Sequence, residues 1–432
     1  MKIKSCYFIL WLLLTATSCF EDSQLKQDQQ NFFVRYLGSD GNQTAVDFEL
    51  LEDGNLVILY NSETENGEKD FYLTKFSQDG IEIWTQNLGN PSRAEVAKDV
   101  IEIPGNAGGY GFAIGFDVVS SPTSNAMAVL ITSPDGNKAK EAVAAFTGFD
   151  DRLKSVTYNP SDGGLIVTGN TRIVTQTGSR IQSVISRLRP IADSNFGFYA
   201  QNEPWGRVDF GGGAEEDVIA LFVNNNVTGN DAFHWFMTTN EAGNGTNDFN
   251  FYTAALDNAG LVSNGTILPN ETADDTNDYL NFVLKEPDSP TPNLYSLIGT
   301  NTIGNSSKVQ VIKIDFGNIV SNPSAPQNRR LINIPGNYKG IGLSKIPGGY
   351  WVLAEKQVET VGELVANIGL VKVNDLFEPI DNVRDLQSEF NVNPIKILSN
   401  ANQKVFVLST AALGNQQKVQ IIKLNRQGQF SE

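Results

Sequence analysis

The chain has 432 residues, with 49 Asp and Glu against 32 Lys and Arg, a formal net charge of −17, one His and two Cys. Hydrophobic residues make up 40%, enough for a packed core, so global disorder is excluded. The acidic balance argues against nucleic acid as a partner, since a phosphate backbone needs a basic surface. The Cys and His counts exclude a disulfide scaffold, a Cys-rich zinc site and any chemistry that needs two histidines.

The chain begins with a positive start, Lys2 and Lys4, then an apolar run from Tyr7 to Leu14, then the small residues Ala16, Thr17 and Ser18. The run is shorter than the ~20 residues a spanning helix needs. Residues 1–18 therefore read as a secretory signal peptide, removed before folding. Ala16-Thr17-Ser18-Cys19 resembles the lipobox of bacterial lipoproteins, with Ala16 where Leu is usual. The resemblance implies that Cys19 becomes the N-terminus and carries the lipid; the alternative is a secreted protein with a chance Cys near its cleavage site. Phe20-Glu21-Asp22 resembles the export signal of Bacteroidetes surface lipoproteins, which implies the outer face of the outer membrane. Residues 19–30 are polar and read as a lipidated flexible tether. One folded domain is expected over 31–432.

From there the sequence repeats. A strand, a Gly/Asp turn and an apolar strand recur seven times. The first copy is Asp47 to Leu51 followed by Leu56 to Tyr60, and the sixth is Ile341 to Lys345 followed by Tyr350 to Leu353. A third strand follows each pair, as in Phe71 to Phe76 and Val419 to Leu424, then usually an Asp/Asn/Gly turn such as Gln78-Asp79-Gly80. A fourth strand is clearest as Ile81 to Trp84. Alternating apolar residues, β-branched and aromatic enrichment and Gly/Asp turns mark strands. Seven units of four strands predict an all-β, seven-bladed β-propeller. The seventh unit ends with little room for a fourth strand, while Phe32 to Gly38 is a strand lacking its first three. Pairing these two closes the ring and hides both edges. Insertions in units four and five leave six or eight blades as alternatives.

Lys75-Phe76-Ser77-Gln78-Asp79-Gly80-Ile81-Glu82-Ile83-Trp84 resembles the Lys-x-Asp-x-x-Gly-x-x-x-Trp repeat of β-propeller lipoproteins near the pyrroloquinoline-quinone-like and delta-sixty groups. That is the one good copy, and most units lack the Trp. The resemblance spans roughly residues 31–430 and implies a fold, not an activity.

Chemistry is sparse. Asp47, Asp99, Asp217 and Asp278 recur near the start of first strands. They read as carboxylates capping amides within the repeat; the alternative is a ring facing the channel. Asp274 and Asp275 with Asp278 are the candidate metal ligands, for calcium, although no spaced Asp-x-Asp-x-Asp-Gly loop occurs and a solvated turn is favoured. His234 has no nucleophile motif beside it and reads as a half-buried strand residue. With Trp235 and the loop residue Trp205, the aromatic the repeat explains least, it forms the candidate binding set. Expected is an outer-membrane-anchored, monomeric binding or scaffold protein. It would contact the membrane through its lipid, need no cofactor and recognise a protein or glycan through a propeller face. The alternative is a glycosidase or lyase using carboxylates at the channel mouth.

Overall fold

A computed structural model describes residues 32–430, apart from 65–66, 68, 122–123, 145, 147, 176–177, 211–214, 225–231, 241–248, 269–276, 288, 290, 292, 317–327, 361–362 and 387–390. Cys19, Asp274 and Asp275 lie outside the described residues. The strands form seven separate four-stranded antiparallel sheets, which settles the blade number at seven. Blades 1 to 6 are consecutive in the chain: residues 42–87, 94–143, 151–210, 216–268, 277–331 and 338–386. Blade 7 takes its three inner strands from residues 392–424 and its outer strand from Phe33–Leu37. Phe33 pairs with Lys423 and Leu37 with Val419, so both ends of the chain share one sheet.

The second strands are buried on both faces. Phe233–Thr239 reads FHWFMTT and is buried throughout, which is why these segments appear as continuous apolar runs. The core is divided accordingly. Each of the seven junctions between neighbouring blades holds its own apolar cluster; Phe48, Ile58, Phe406 and Leu408, for example, fill the one between blades 7 and 1.

Every innermost strand carries a bulge, at Val46, Lys98, Lys154, Ile219, Asn281, Ile341 and Ile395. A bulge takes one backbone amide out of the ladder, and in this ring the preceding blade supplies the acceptor. Thr410 Oγ1 accepts from Ala45 N at 3.0 Å, Asn61 Oδ1 from Ala97 N at 2.8 Å and Asp117 Oδ1 from Leu153 N at 2.7 Å. Asn170 Oδ1 accepts from Val218 N at 3.1 Å and Thr238 Oγ1 from Leu280 N at 2.9 Å. The acceptor always lies opposite the residue two before its own blade's bulge. Thr300 and Glu355 complete that position in blades 5 and 6. This polar girdle is the repeat's true polar signature.

The turn glycines have an equally regular partner. An added Cβ at Gly80, Gly136, Gly260 or Gly428 would lie within 3.0 Å of Phe33, Trp84, Trp205 or Trp351 respectively. Each of these rings belongs to the preceding blade and lies over the glycine of the next. All four glycines have φ between 72° and 78°, so close approach and left-handed backbone both demand glycine.

Candidate functional site

A cavity of about 1110 Å³ opens at one mouth of the channel. Its walls are the first residues of the innermost strands of blades 2 to 6 and the ends of the hairpins joining second to third strands. Blades 1 and 7 contribute nothing to it among the described residues.

One sector is charged. Lys98 Nζ lies 3.4 Å from Asp117, Arg152 3.7 Å from Asp150, Lys154 2.8 Å from Asp217 and Lys339 3.1 Å from Glu355. The pairs are unequal in exposure: the cation side chains are 33%, 51%, 40% and 40% exposed, the carboxylates 4%, 6%, 49% and 14%. In three of four the carboxylate sits behind its cation. Asp117 and Asp150 also accept backbone amides, from Leu153 and Asn125. Burial pushes the Asp117 carboxyl up to about 6, against the pull of Lys98 and its hydrogen bonds. Arg172 is exposed nearby and donates to Ser179 Oγ at 3.2 Å.

Blades 4 and 5, between the cations of blade 3 and Lys339 of blade 6, bring two aromatic rings to the wall, with Glu215 and Asp217 at the start of the blade 4 inner strand. Phe249 and Tyr279 have ring centroids 5.1 Å apart at 32°, and Tyr279 is 38% exposed. Asn281, Thr300 and Thr302 line the wall beside them.

A second charged group lies on the channel wall where the ring closes. Lys396 of blade 7 lies 2.8 Å from Asp47 and 2.7 Å from Glu49, both of blade 1. Burial works against the ammonium, but the two carboxylates outweigh it and hold the Lys396 pKa above its ordinary value. Asp99 of blade 2 hydrogen-bonds Asp47; burial, then that neighbour, holds its carboxyl well above the usual range. The pair is tied into the ring: Asp99 Oδ2 accepts from Val156 N at 2.6 Å and Asp47 Oδ2 from Val100 N at 3.3 Å.

The four recurrent aspartates thus divide. Asp47 and Asp99 each follow a bulge directly and cap an amide of the next blade's inner strand. Asp217 lies two residues before its bulge, paired with Lys154, and Asp278 three before. Asp278 is 2% exposed, accepts from Asn301 Nδ2 at 2.7 Å and lies 3.2 Å from Arg329. A guanidinium therefore stands against the carboxylate proposed for a cation. No group of three or more His, Cys, Asp or Glu suited to a metal occurs among the described residues.

Trp205, His234 and Trp235 are not on the cavity wall. His234 is wholly buried rather than half-buried: Nδ1 is 2.7 Å from the Tyr295 hydroxyl, and the ring stacks on Phe316 at 3.8 Å. Trp235 packs on Phe210 with centroids 4.2 Å apart. Trp205 is 3% exposed; it packs on Phe233, donates to the Asn258 carbonyl and covers Gly260. Its carbonyl accepts from Arg187 N, which places it across from Arg187 as Trp84 stands across from Lys75. It is the repeat's own Trp, shifted along the sequence by an insertion. Phe33 opposite Lys423 is the same position in blade 7. Of the cavity residues sequence reasoning named only Asp217, because the others are spread over five blades and share no motif.

No known family's sequence model matches the chain, and neither does the sequence of any curated protein. Among solved structures, the chain is similar to the β-propeller domain of the Trilobed protease from Pyrococcus furiosus at 8% identity and TM-score 0.45, covering 88% of this chain and 94% of that one. It is similar to Pyrococcus horikoshii acylaminoacyl peptidase at 7% identity and TM-score 0.44, covering 88% of this chain and 54% of that one. For Trypanosoma rangeli sialidase the figures are 9%, 0.43, 90% and 59%. The chain thus spans little more than half of the peptidase and the sialidase. Likenesses at this level carry nothing about activity; the fold stands on the chain's own strand pairing.

Proposed function

We propose that this chain is a binding protein, lipid-anchored at Cys19 to the outer face of the outer membrane, that takes a protein or glycan ligand at the channel mouth. One observation carries the reading. The cavity lies on the face of the hairpins between second and third strands, whereas the chain comes into the propeller at Phe33, opposite Lys423, on the other face. An anchor at Cys19 then attaches behind the propeller and turns the mouth outward. The volume, about 1110 Å³, lies just above the ~300–1,000 Å³ usual for ligand pockets.

The test is a cross-linked pull-down of the tagged, lipidated protein from outer membranes, alongside a glycan array. A stoichiometric partner or a glycan that is lost on R152A/K154A supports the reading. Capture unaffected by mouth substitutions overturns it.

The enzyme reading draws on the raised Asp99 carboxyl. It is the weaker one, because Asp99 and Asp47 are engaged with each other and with backbone amides, and neither lines the cavity. Glycan hydrolysis or elimination abolished by D99N would restore it.

A further inference from the structure

Resting on the binding reading above, we propose that the mouth takes an anionic oligosaccharide, its acidic groups on the cations of blades 2, 3 and 6 and a sugar face on the Phe249–Tyr279 wall. The chain is acidic overall, with a net charge of −17, yet the accessible charges of the cavity wall are the cations Lys98, Arg152, Lys154, Arg172 and Lys339 against the carboxylates Glu215 and Asp217 alone. The counter-charges of Lys98, Arg152 and Lys339 are held behind them, and Asp117 and Asp150 are fixed there by backbone amides of Leu153 and Asn125. A ligand acid therefore approaches cations without displacing the carboxylates that neutralise them at depth. The cost of burying those carboxylates is already met in the empty protein, so new ion pairs form on a prepared surface.

Charge alone would suit an acidic peptide equally. The aromatic pair on the wall favours a sugar. Tyr279 presents an exposed ring backed by Phe249, a flat apolar surface with a polar tip. Beside it stand the Thr300 and Thr302 hydroxyls and the Asn281 side chain, whose Nδ2 is held by Thr300 Oγ1 and the Gly340 carbonyl, leaving its Oδ1 as the acceptor toward a ligand. Ring face, hydroxyl partners and a cation within one cavity match a pyranose bearing a carboxylate or sulfate.

The experiment uses the full-length lipidated protein in detergent, with matched oligosaccharides of equal length: uronic-acid, sulfated, and carboxyl-reduced neutral forms, together with an oligoglutamate peptide. Tighter binding of the uronic or the sulfated set, at least tenfold over neutral, is expected, with a further loss of at least tenfold from 50 to 300 mM salt. The two acidic sets decide between carboxylate and sulfate. R152A/K154A removes two of the five cations on the wall and should cut the acidic preference at least threefold, leaving neutral binding in place. Y279A should weaken both acidic and neutral sugars. R426A, an exposed charge in a turn of the opposite face, should change nothing. Unchanged thermal midpoints show that the variants fold. Equal binding of neutral and acidic sugars, or preference for the peptide, overturns this inference while leaving a binding mouth. Binding of none of the probes, with the pull-down also empty, overturns the binding reading itself.

Discussion

The closing seam and the cavity mouth both carry charged side chains on innermost strands, the seam on those of blades 7 and 1 and the mouth on those of blades 2 to 6. At the seam Lys396 faces inward between Asp47 and Glu49, and its side chain is 16% exposed. At the mouth Arg152 and Lys339 stand in front of their carboxylates, 51% and 40% exposed. The seam joins blade 7 to blade 1 through residues 38–41, next to the sheet in which Phe33–Leu37 closes the ring by pairing alone with Gln416–Leu424. Buried ion pairs there fix register at the cost of desolvation. The mouth has no such duty, and its cations remain open to solvent. Lys396 directly follows its bulge, whereas Arg152 and Lys339 lie two residues before theirs, so different positions of the inner strand serve closure and contact.

The seam can be broken from its cation. Lys396→Met leaves Asp47 and Glu49 without their partner and should cost about 3–5 kcal/mol, the usual penalty for removing one side of a buried pair. Urea denaturation would read it, and adding D47N and E49Q should recover much of the loss. A single variant as stable as the parent would mean the seam charges do not hold the ring.

The next effect depends on pH. The Asp117 carboxyl titrates at about 6 in the folded chain against 3.8 as its ordinary value. A raised carboxyl pKa means the folded state holds its proton more tightly. Its contribution to stability is complete below about pH 4 and is lost as pH rises through 6. D117N keeps an oxygen for Leu153 N but carries no charge. The stability of D117N relative to the parent should therefore rise by up to about 3 kcal/mol between pH 4 and pH 7. A difference that stays flat across that window would show that Asp117 is not desolvated.

Much of the architecture was legible from residue order. Apolar second strands, Gly/Asp turns and the orphan strand at Phe33 gave seven blades and their closure, because those features answer local demands of the backbone. The girdle was not legible. Its members are Asn61, Asp117, Asn170, Thr238, Thr300, Glu355 and Thr410, so the position is shared but the residue type is not; any side-chain oxygen of suitable reach serves. Trp205 was misleading for a different reason. Its insertion lengthened the sequence between Arg187 and its partner without changing where the strand pairs. The mouth was not legible beyond Asp217, because its residues come from five blades and are brought together only by the ring.

Among the girdle residues, Asn170→Ala removes the acceptor of Val218 N and the 2.6 Å bond to Asp217. An inner-strand amide is then unsatisfied, which should cost about 1–3 kcal/mol. Faster hydrogen exchange confined to the start of the blade 4 inner strand would locate the effect there. Global exchange at the parent's rates, with an unchanged denaturation midpoint, would remove the staple from the account.

Blade 6 offers the contrasting case and the smallest effect. Its girdle residue is Glu355, and the amide it would accept belongs to residue 394, just before the bulge at Ile395. Residue 394 is proline, which has no N–H to donate. With nothing to cap on the next blade, Glu355 turns to Lys339 at 3.1 Å instead, on the cavity wall. Lys339 is 40% exposed, so water replaces the carboxylate when it is removed. Glu355→Ala should then cost only about 0–1 kcal/mol, well below Asn170→Ala at the same ring position. Restoring the amide tests the logic from the other side: Pro394→Ala should make the Glu355 substitution more costly than it is in the parent, a coupling measurable by a double-mutant cycle. Equal costs in both backgrounds would mean that the proline did not release this blade's girdle residue to the mouth.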